Sequence, residues 1–324
     1  MKKIFSLWMV FTVLLGGCAA NSPVQPPTVQ TTSVLPAGQP AEKIKVYAPA
    51  STSSIPVILA ASKMPDVNLT LYSNQAQANT LFLRGDVDVL VTGLSVGLDM
   101  YKNSTPVQIV NSYVSGLSYL VTNGHKVNSI ADLKGQQIYL PFKGSPIEEV
   151  TAYFAQQAGL KWPDDFKPVY MPFDSSVELL KQGKAGAVVL PEPYVTLLEN
   201  QPGIFISLSY YDEWEKSHPK DDGYPQVGSL VKAEWAQNHA AQITRFNDAL
   251  SAALSAVKQD PASAVDAAKT HYKISADLLL KSLNRTRYHM LTGDEMRQSI
   301  STYYDVVAKP LNENDAKFFY IAAK

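Results

Sequence analysis

Two kinds of hydrophobic pattern alternate along this chain, and their order predicts an α/β architecture. From Lys43 onward, short apolar runs rich in β-branched residues are each followed by a stretch with three-to-four-residue apolar spacing. That alternation is the signature of strands joined by helical crossovers. Strands are predicted at 44–47, 67–72, 87–91 and 107–110, with helices at 55–63, 76–83 and on toward Tyr101. A second, similar series places strands at 138–140, 169–171, 187–190 and 204–208. Its helices fall at 146–158 and from Asp174 or Ser175 to Gly183. The run over 87–91 is nearly continuous in apolar residues, as expected of a strand buried on both faces.

Past Trp235 the pattern becomes helical. Ile243, Phe246, Leu250, Leu254 and Val257 recur at intervals of three or four, marking one apolar face of the kind a globular core needs. Further helices are expected from Pro261, over 275–287 and over 292–310. Two helix starts carry a capping-box spacing: Ser145-Pro146-Ile147-Glu148, with proline at the first helical position, and Thr292-Gly293-Asp294-Glu295.

The first forty residues follow a different rule. Lys2 and Lys3 precede an apolar run from Ile4 to Leu15, the layout of a secretory signal and too short for the ~20 residues a bilayer span needs. The run ends in Leu15-Gly16-Gly17-Cys18, which resembles the lipobox of bacterial lipoproteins. That resemblance implies cleavage before Cys18, acylation of Cys18 and attachment to a lipid bilayer. Cys18 is the single cysteine, so neither a disulfide nor a CxxC pair is available. Residues 19–42, rich in Pro, Ser, Thr and Gln, are expected to form a disordered tether. The expected organisation is a signal peptide at 1–17, a lipidated tether at 18–42 and a body from 43. Such a protein is exported and sits at the outer face of the cytoplasmic membrane or in the periplasm.

Charge narrows the partners. Lys and Arg number 28 against 29 Asp and Glu, a net charge of −1, so no nucleic-acid partner is expected. The five histidines are scattered, and no GxSxG, GxxxxGK[ST] or HExxH motif occurs. No catalytic residue, metal or cofactor is predicted.

Three phrases bring in a family. Gly85-Asp86-Val87-Asp88-Val89-Leu90-Val91-Thr92-Gly93, Ile130-Ala131-Asp132-Leu133-Lys134-Gly135 and Val188-Val189-Leu190-Pro191-Glu192-Pro193-Tyr194 resemble the solute-binding proteins of ABC importers that take sulfonates, taurine, nitrate and thiamine-pyrimidine precursors. The resemblance covers about residues 43–310. It implies a two-lobed type II periplasmic binding protein fold, each lobe a mainly parallel sheet flanked by helices, with a helical C-terminal cap. Lobe one would be 43–115 plus 229–324 and lobe two 116–228, hinged near Ser115-Gly116 and 224–229. It also implies a monomer that delivers a small-molecule ligand to an ABC permease. A sensor or adhesin lipoprotein on the same fold, or an enzyme like the pyrimidine-synthesising relatives, are the other readings.

The candidate site follows from the strand ends, where α/β sheets bind ligands and helix N-termini offer unpaired N–H groups. Segments 50–54, 92–95, 143–145 and 190–194 each leave a strand and open a helix, two from each lobe. Ser51, Thr52, Ser53, Thr92, Gly93, Ser95, Gly144 and Ser145 are the candidate backbone and hydroxyl contacts, and the serines are equally candidates for helix caps. Gln75 is a candidate hydrogen-bonding side chain, Ser115 and Gly116 candidate hinge contacts, and Phe142 and Tyr194 candidate stacking partners. Glu192 either faces the cleft, welcoming an amine or hydroxyl over a bare anion, or pairs with a lysine such as Lys143, or caps the next helix. The ligand is expected to be a sulfonate-like anion or a heterocyclic vitamin precursor. No arginine stands in the cleft segments themselves.

Overall fold

A computed structural model describes residues 43–322. Cys18, the signal-like segment and the tether lie outside the described residues. From Glu42 onward the chain forms one compact unit. Among the described residues, no helix is long and apolar enough to cross a membrane.

Two sheets organise this unit. The first has six strands in the order β11-β4-β10-β3-β1-β2: β1 Ile44–Pro49, β2 Val67–Tyr72, β3 Val89–Gly93, β4 Val107–Gly116, β10 Val227–Lys232 and β11 Arg287–Leu291. The second has five in the order β7-β6-β8-β5-β9: β5 Ser118–Asn123, β6 Gln137–Leu140, β7 Lys167–Tyr170, β8 Ala187–Pro191 and β9 Ile204–Ser209. Both sheets are mixed, with most strands of each running in one direction. β1 pairs parallel with β2 and β3, but β10 runs antiparallel between β3 and β4. In the second sheet β6 pairs parallel with β7 and β8, and β5 runs antiparallel to β8 and β9. β5 and β10 are the strands by which the chain enters each sheet from the other, and β11 runs antiparallel to β4 at the edge of the first sheet.

The helices are α1 Ile55–Ser62, α2 Gln75–Arg84, α3 Leu94–Lys102, α4 Pro146–Gln157, α5 Phe173–Lys181, α6 Tyr194–Leu198, α7 Tyr210–Ser217, α8 Ala233–Asn238, α9 Ala240–Gln259, α10 Pro261–Ala268, α11 Ala276–Asn284 and α12 Gly293–Val306. Local chemistry explains their limits. The side chain of Asn74 caps α2, which stops at Gly85 in the left-handed region with φ +88°. Ser145 caps α4 through the Glu148 N–H at 3.1 Å. The return arm of that box is shifted: the Glu148 carboxylate accepts from the Gly144 N–H, one residue early. At α12, Thr292 stands at the cap position without a side-chain bond. The predicted helix over 275–287 ends at Asn284, and the chain then extends as edge strand β11 on β4.

The chain passes from the first sheet to the second at Leu117 and returns through 223–226. Gln226 fastens both passages: its Oε1 accepts from the Leu117 N–H at 3.2 Å and its Nε2 donates to Ser118 Oγ at 2.7 Å. Gly223 has φ +74°, and a Cβ there would lie 2.1 Å from the Ser115 carbonyl oxygen, so only glycine fits. One apolar cluster bridges the sheets, joining Leu94, Leu230 and Ile300 to Ile147, Phe154 and Trp214. Each such side chain withdrawn from water contributes about 1.5–3 kcal/mol, which is what holds the two sheets in register with each other.

Candidate ligand-binding site

The strand ends of the two sheets meet along a seam. At its centre, a Cβ on Gly93 would lie 2.7 Å from Pro146 Cγ, so the start of α3 touches the start of α4. The Ser95 hydroxyl, in the first turn of α3, donates to the carboxylate of Glu149, in the first turn of α4. Two helix N-termini thus converge on one carboxylate, a favourable arrangement for negative charge. Tyr303 of α12 donates to the same group at 3.0 Å, and Lys309 Nζ lies 2.5 Å from Oε1. Glu149 is 6% exposed, and burial raises its pKa while Lys309 pulls it back.

A second seam lies at α6. Glu192 is wholly buried and caps its own following helix: it accepts from the Thr196 N–H at 3.1 Å and from Thr196 Oγ1 at 3.0 Å. Arg285, just past α11, stands 3.7 Å from Glu192 Oε1 and donates to Thr196 Oγ1 at 2.9 Å and Glu199 Oε1 at 2.8 Å. Lys281 of α11 also pairs with Glu199. Burial pushes the Glu192 carboxyl up to about 7, against the pull of the Thr196 bonds and of Arg285. Of the three placements open to Glu192 in the sequence, the structure shows the helix cap, with Arg285 rather than Lys143 as its cation.

The remaining candidates fall into smaller groups. Thr92 and Gln75 are brought together, Oγ1 to Oε1 at 3.2 Å, and the Tyr72 hydroxyl donates to the same Gln75 oxygen at 3.0 Å. Ser51 and Ser53 bond each other at 2.6 Å, and Thr52 meets Thr286 at 2.7 Å. The carbonyls of Ser51, Thr52 and Ser53 accept from Tyr272, Tyr288 and Tyr113 at 2.8, 2.7 and 2.9 Å. This loop is therefore held by the C-terminal segment and β4. Gly144 has φ +79° and lies close to Asp99, while Phe142 is half-buried against the bridging core. Tyr194 packs on Phe173 with ring centroids 5.4 Å apart. Ser115 is buried, and Gly116 lies against the Tyr211 ring.

Sequence reasoning missed Glu149, Arg285, Thr286, Tyr303 and Lys309. Glu149 is the neighbour of a residue already singled out as a cap, and its place in the first turn of α4 was a usable signal. The others come from the C-terminal segment, where the helical stripe reports packing and nothing marks which residues reach the seam.

A family model described as NMT1/THI5 like matches residues 66–264. The chain belongs to the NMT1/THI5-like family. The match spans β2 through α9 and takes in both seams except for their C-terminal partners. No curated protein matches the chain. Among solved structures, a ligand-binding component of an ABC-type import system from Staphylococcus aureus, solved with zinc bound, aligns with a TM-score of 0.69 at 15% identity. That alignment covers 86% of this chain and 97% of that one. The periplasmic aliphatic sulphonate binding protein SsuA from Escherichia coli gives 0.69 at 16% identity, covering 87% and 93%. The periplasmic nitrate-binding protein NrtA from Synechocystis gives 0.65 at 14% identity, covering 79% and 74%. At these identities the likeness establishes the periplasmic binding protein fold for this member of the NMT1/THI5-like family.

Proposed function

We propose that this NMT1/THI5-like protein is an exported, lipid-anchored solute-binding component of an ABC importer. It captures a small organic molecule between the segments 43–115 plus 229–324 and 116–228, and hands it to a membrane permease. The observation that carries this reading is the seam itself. β-to-α junctions from both sheets face each other at Gly93–Pro146 and Ser95–Glu149, and Glu192 of a further one meets Arg285 of the turn between α11 and β11. Two bodies between which the chain passes only at Leu117 and 223–226 can swing about those passages, opening and closing the seam on a solute. The roles of the S. aureus, E. coli and Synechocystis proteins support the same reading. Cys18 is the proposed lipid anchor, and the protein is proposed to act as a monomer.

Between a sulfonate-like anion and a heterocyclic vitamin precursor, the seam favours the second. Its anion-favouring point, at the start of α3 and α4, is already held by the Glu149 carboxylate. Its cations Lys309 and Arg285 are engaged by Glu149, Glu192 and Glu199. A bare anion must displace a carboxylate, whereas a heterocycle with amino or hydroxyl groups bonds to what is there. Ser51, Thr52, Ser53, Gln75, Thr92, Gly93, Ser95, Gly144 and Ser145 are the proposed contacts, with Phe142 and Tyr194 beside the ligand and Ser115 and Gly116 at the hinge.

A thermal-shift screen of the purified protein against sulfonates, nitrate, amino acids, polyamines and pyrimidine precursors tests this. A ligand at about a hundred times its dissociation constant adds about 2.7 kcal/mol, a rise of several degrees in Tm. A rise with pyrimidine precursors supports the reading, a rise with sulfonates alone reverses the ligand class, and no rise with any class removes the solute-binding function.

A further inference from the structure

After α12 the chain runs back over the first body as a strap, residues 307–320. Its far end is tied to α3 and β4. Asp315 pairs with Lys102 at 2.6 Å, and the Asn314 carbonyl accepts from the Tyr101 hydroxyl at 2.9 Å. The Lys317 carbonyl accepts from Gln108 at 3.2 Å, and the Tyr320 N–H donates to the Ile109 carbonyl at 2.9 Å. Phe318 is fully buried, its ring centroid 5.2 Å from that of Tyr101.

The near end of the strap meets the second body. α12 closes in a turn where the Lys309 N–H donates to the Tyr304 carbonyl at 2.8 Å and the Ala308 N–H to the Asp305 carbonyl at 3.3 Å. Ala308 has φ +58°, the left-handed position that this helix ending most often gives to glycine. The next residue, Lys309, puts its Nζ 2.5 Å from the Glu149 carboxylate of α4, to which Tyr303 of α12 also donates at 3.0 Å. The Tyr303 ring lies 6.2 Å from that of Tyr224 in the return passage and 5.7 Å from that of Trp214 in α7. α3 is gripped at both ends: Ser95 near its start donates to Glu149, while Tyr101 and Lys102 near its end hold the strap. The Glu149 side chain is only 3% exposed. A carboxylate so enclosed exchanges its donors for water only when the bodies part.

We propose that the C-terminal strap is a clasp on the seam. Lys309 and Tyr303 are positioning residues that hold the start of α4 against the start of α3 and set how readily the two bodies separate. The inference rests on the reading of a seam that opens for a solute, whatever the solute's chemistry.

Double electron–electron resonance on the full-length protein in detergent tests it. Spin-labelled p-acetylphenylalanine replaces Gln77 of α2 and Gln156 of α4, both exposed, one on each body. Without solute the parent should give mainly one distance. Lys309→Ala is expected to raise the population at longer distance about tenfold and Tyr303→Phe about fivefold, in keeping with the bonds removed. Lys309→Arg should restore the parent distribution. Tyr303→Phe keeps the buried ring and so folds even where Lys309→Ala does not. An unchanged distribution in Tyr303→Phe, or in a folded Lys309→Ala of lower Tm, makes the strap merely stabilising and overturns the proposal. The solute reading is judged separately, on the parent's thermal shifts. Longer distances in the variants with no thermal response in the parent keep the clasp and remove the solute, and the reverse pair of results does the opposite.

Discussion

The two seams between the sheets are built alike and balanced differently. Each places a buried carboxylate from the first turn of a second-sheet helix, or from just before it, against a cation from the C-terminal segment. Glu149 has its cation at 2.5 Å and two hydroxyl donors from α3 and α12. Glu192 has its cation at 3.7 Å, and its closest bonds come from Thr196, four residues on in its own helix. Glu149 is thus satisfied by the opposite body, so its charge helps hold the bodies together. Glu192 is satisfied at home, and Arg285 is shared with Glu199. The lesson is that a buried carboxylate links two bodies only when its donors lie on the far side. On this view the Glu149 seam is the firmer and the Glu192 seam the one that yields first.

Removing a cation separates the two most strongly. Lys309→Met leaves Glu149 buried without its countercharge and is expected to cost about 3–4 kcal/mol in urea unfolding at pH 8. The double variant Glu149→Gln/Lys309→Met should recover most of that loss. A loss below 1 kcal/mol at pH 8 would show that Glu149 does not carry the contact.

Acidity comes next. The Glu192 carboxyl titrates at about 7 in the folded chain against its ordinary value of 4.5. Between those values the folded state binds more protons than the unfolded state, so stability falls as pH rises through that window. The fall attributable to Glu192 is expected to be about 2–3 kcal/mol, complete above the folded value. Glu192→Gln should flatten the pH slope and match the parent near pH 5. An unchanged slope in that variant would place the titration elsewhere.

Smaller effects test the contact itself. In Gly93→Val the added side chain meets Pro146, and the two helix starts must part. The expected cost is about 1–2 kcal/mol, with a larger radius of gyration in solution scattering and weaker binding of any seam ligand. Arg285→Gln should cost least, about 1 kcal/mol, because Glu192 keeps its Thr196 bonds and Glu199 keeps Lys281. Equal losses for Arg285→Gln and Lys309→Met would erase the distinction between the seams.

Much of this was written in local patterns. Ser145-Pro146 and the apolar stripe of α9 were readable because caps and periodicity act within a few residues. That the loops 92–95 and 143–145 belong to different halves came from the family resemblance rather than from local pattern, and they leave different sheets. The strand over 118–123 escaped because Ser118-Tyr119-Leu120-Val121 reads as a continuation of β4 until a change of sheet is seen. β11 escaped because Arg287 to Leu291 continues an apolar helical stretch and gains its strand form only from pairing with β4. Arg285 could not be assigned to Glu192, since 93 positions separate them and no periodicity spans that interval.

By itself the sequence determined where most of the strands and helices lie, that they belong to an α/β fold resembling the periplasmic binding proteins, and which loops stand at strand ends. These depend on backbone preferences and on apolar spacing, which act over a turn or two of chain. Tertiary structure alone decided that both sheets are mixed, that Glu149 is held between the two helix starts, and that Glu192 turns back on Thr196. Those outcomes depend on desolvation and on donors brought from distant segments, and a charge has no settled partner until the fold has set which groups surround it.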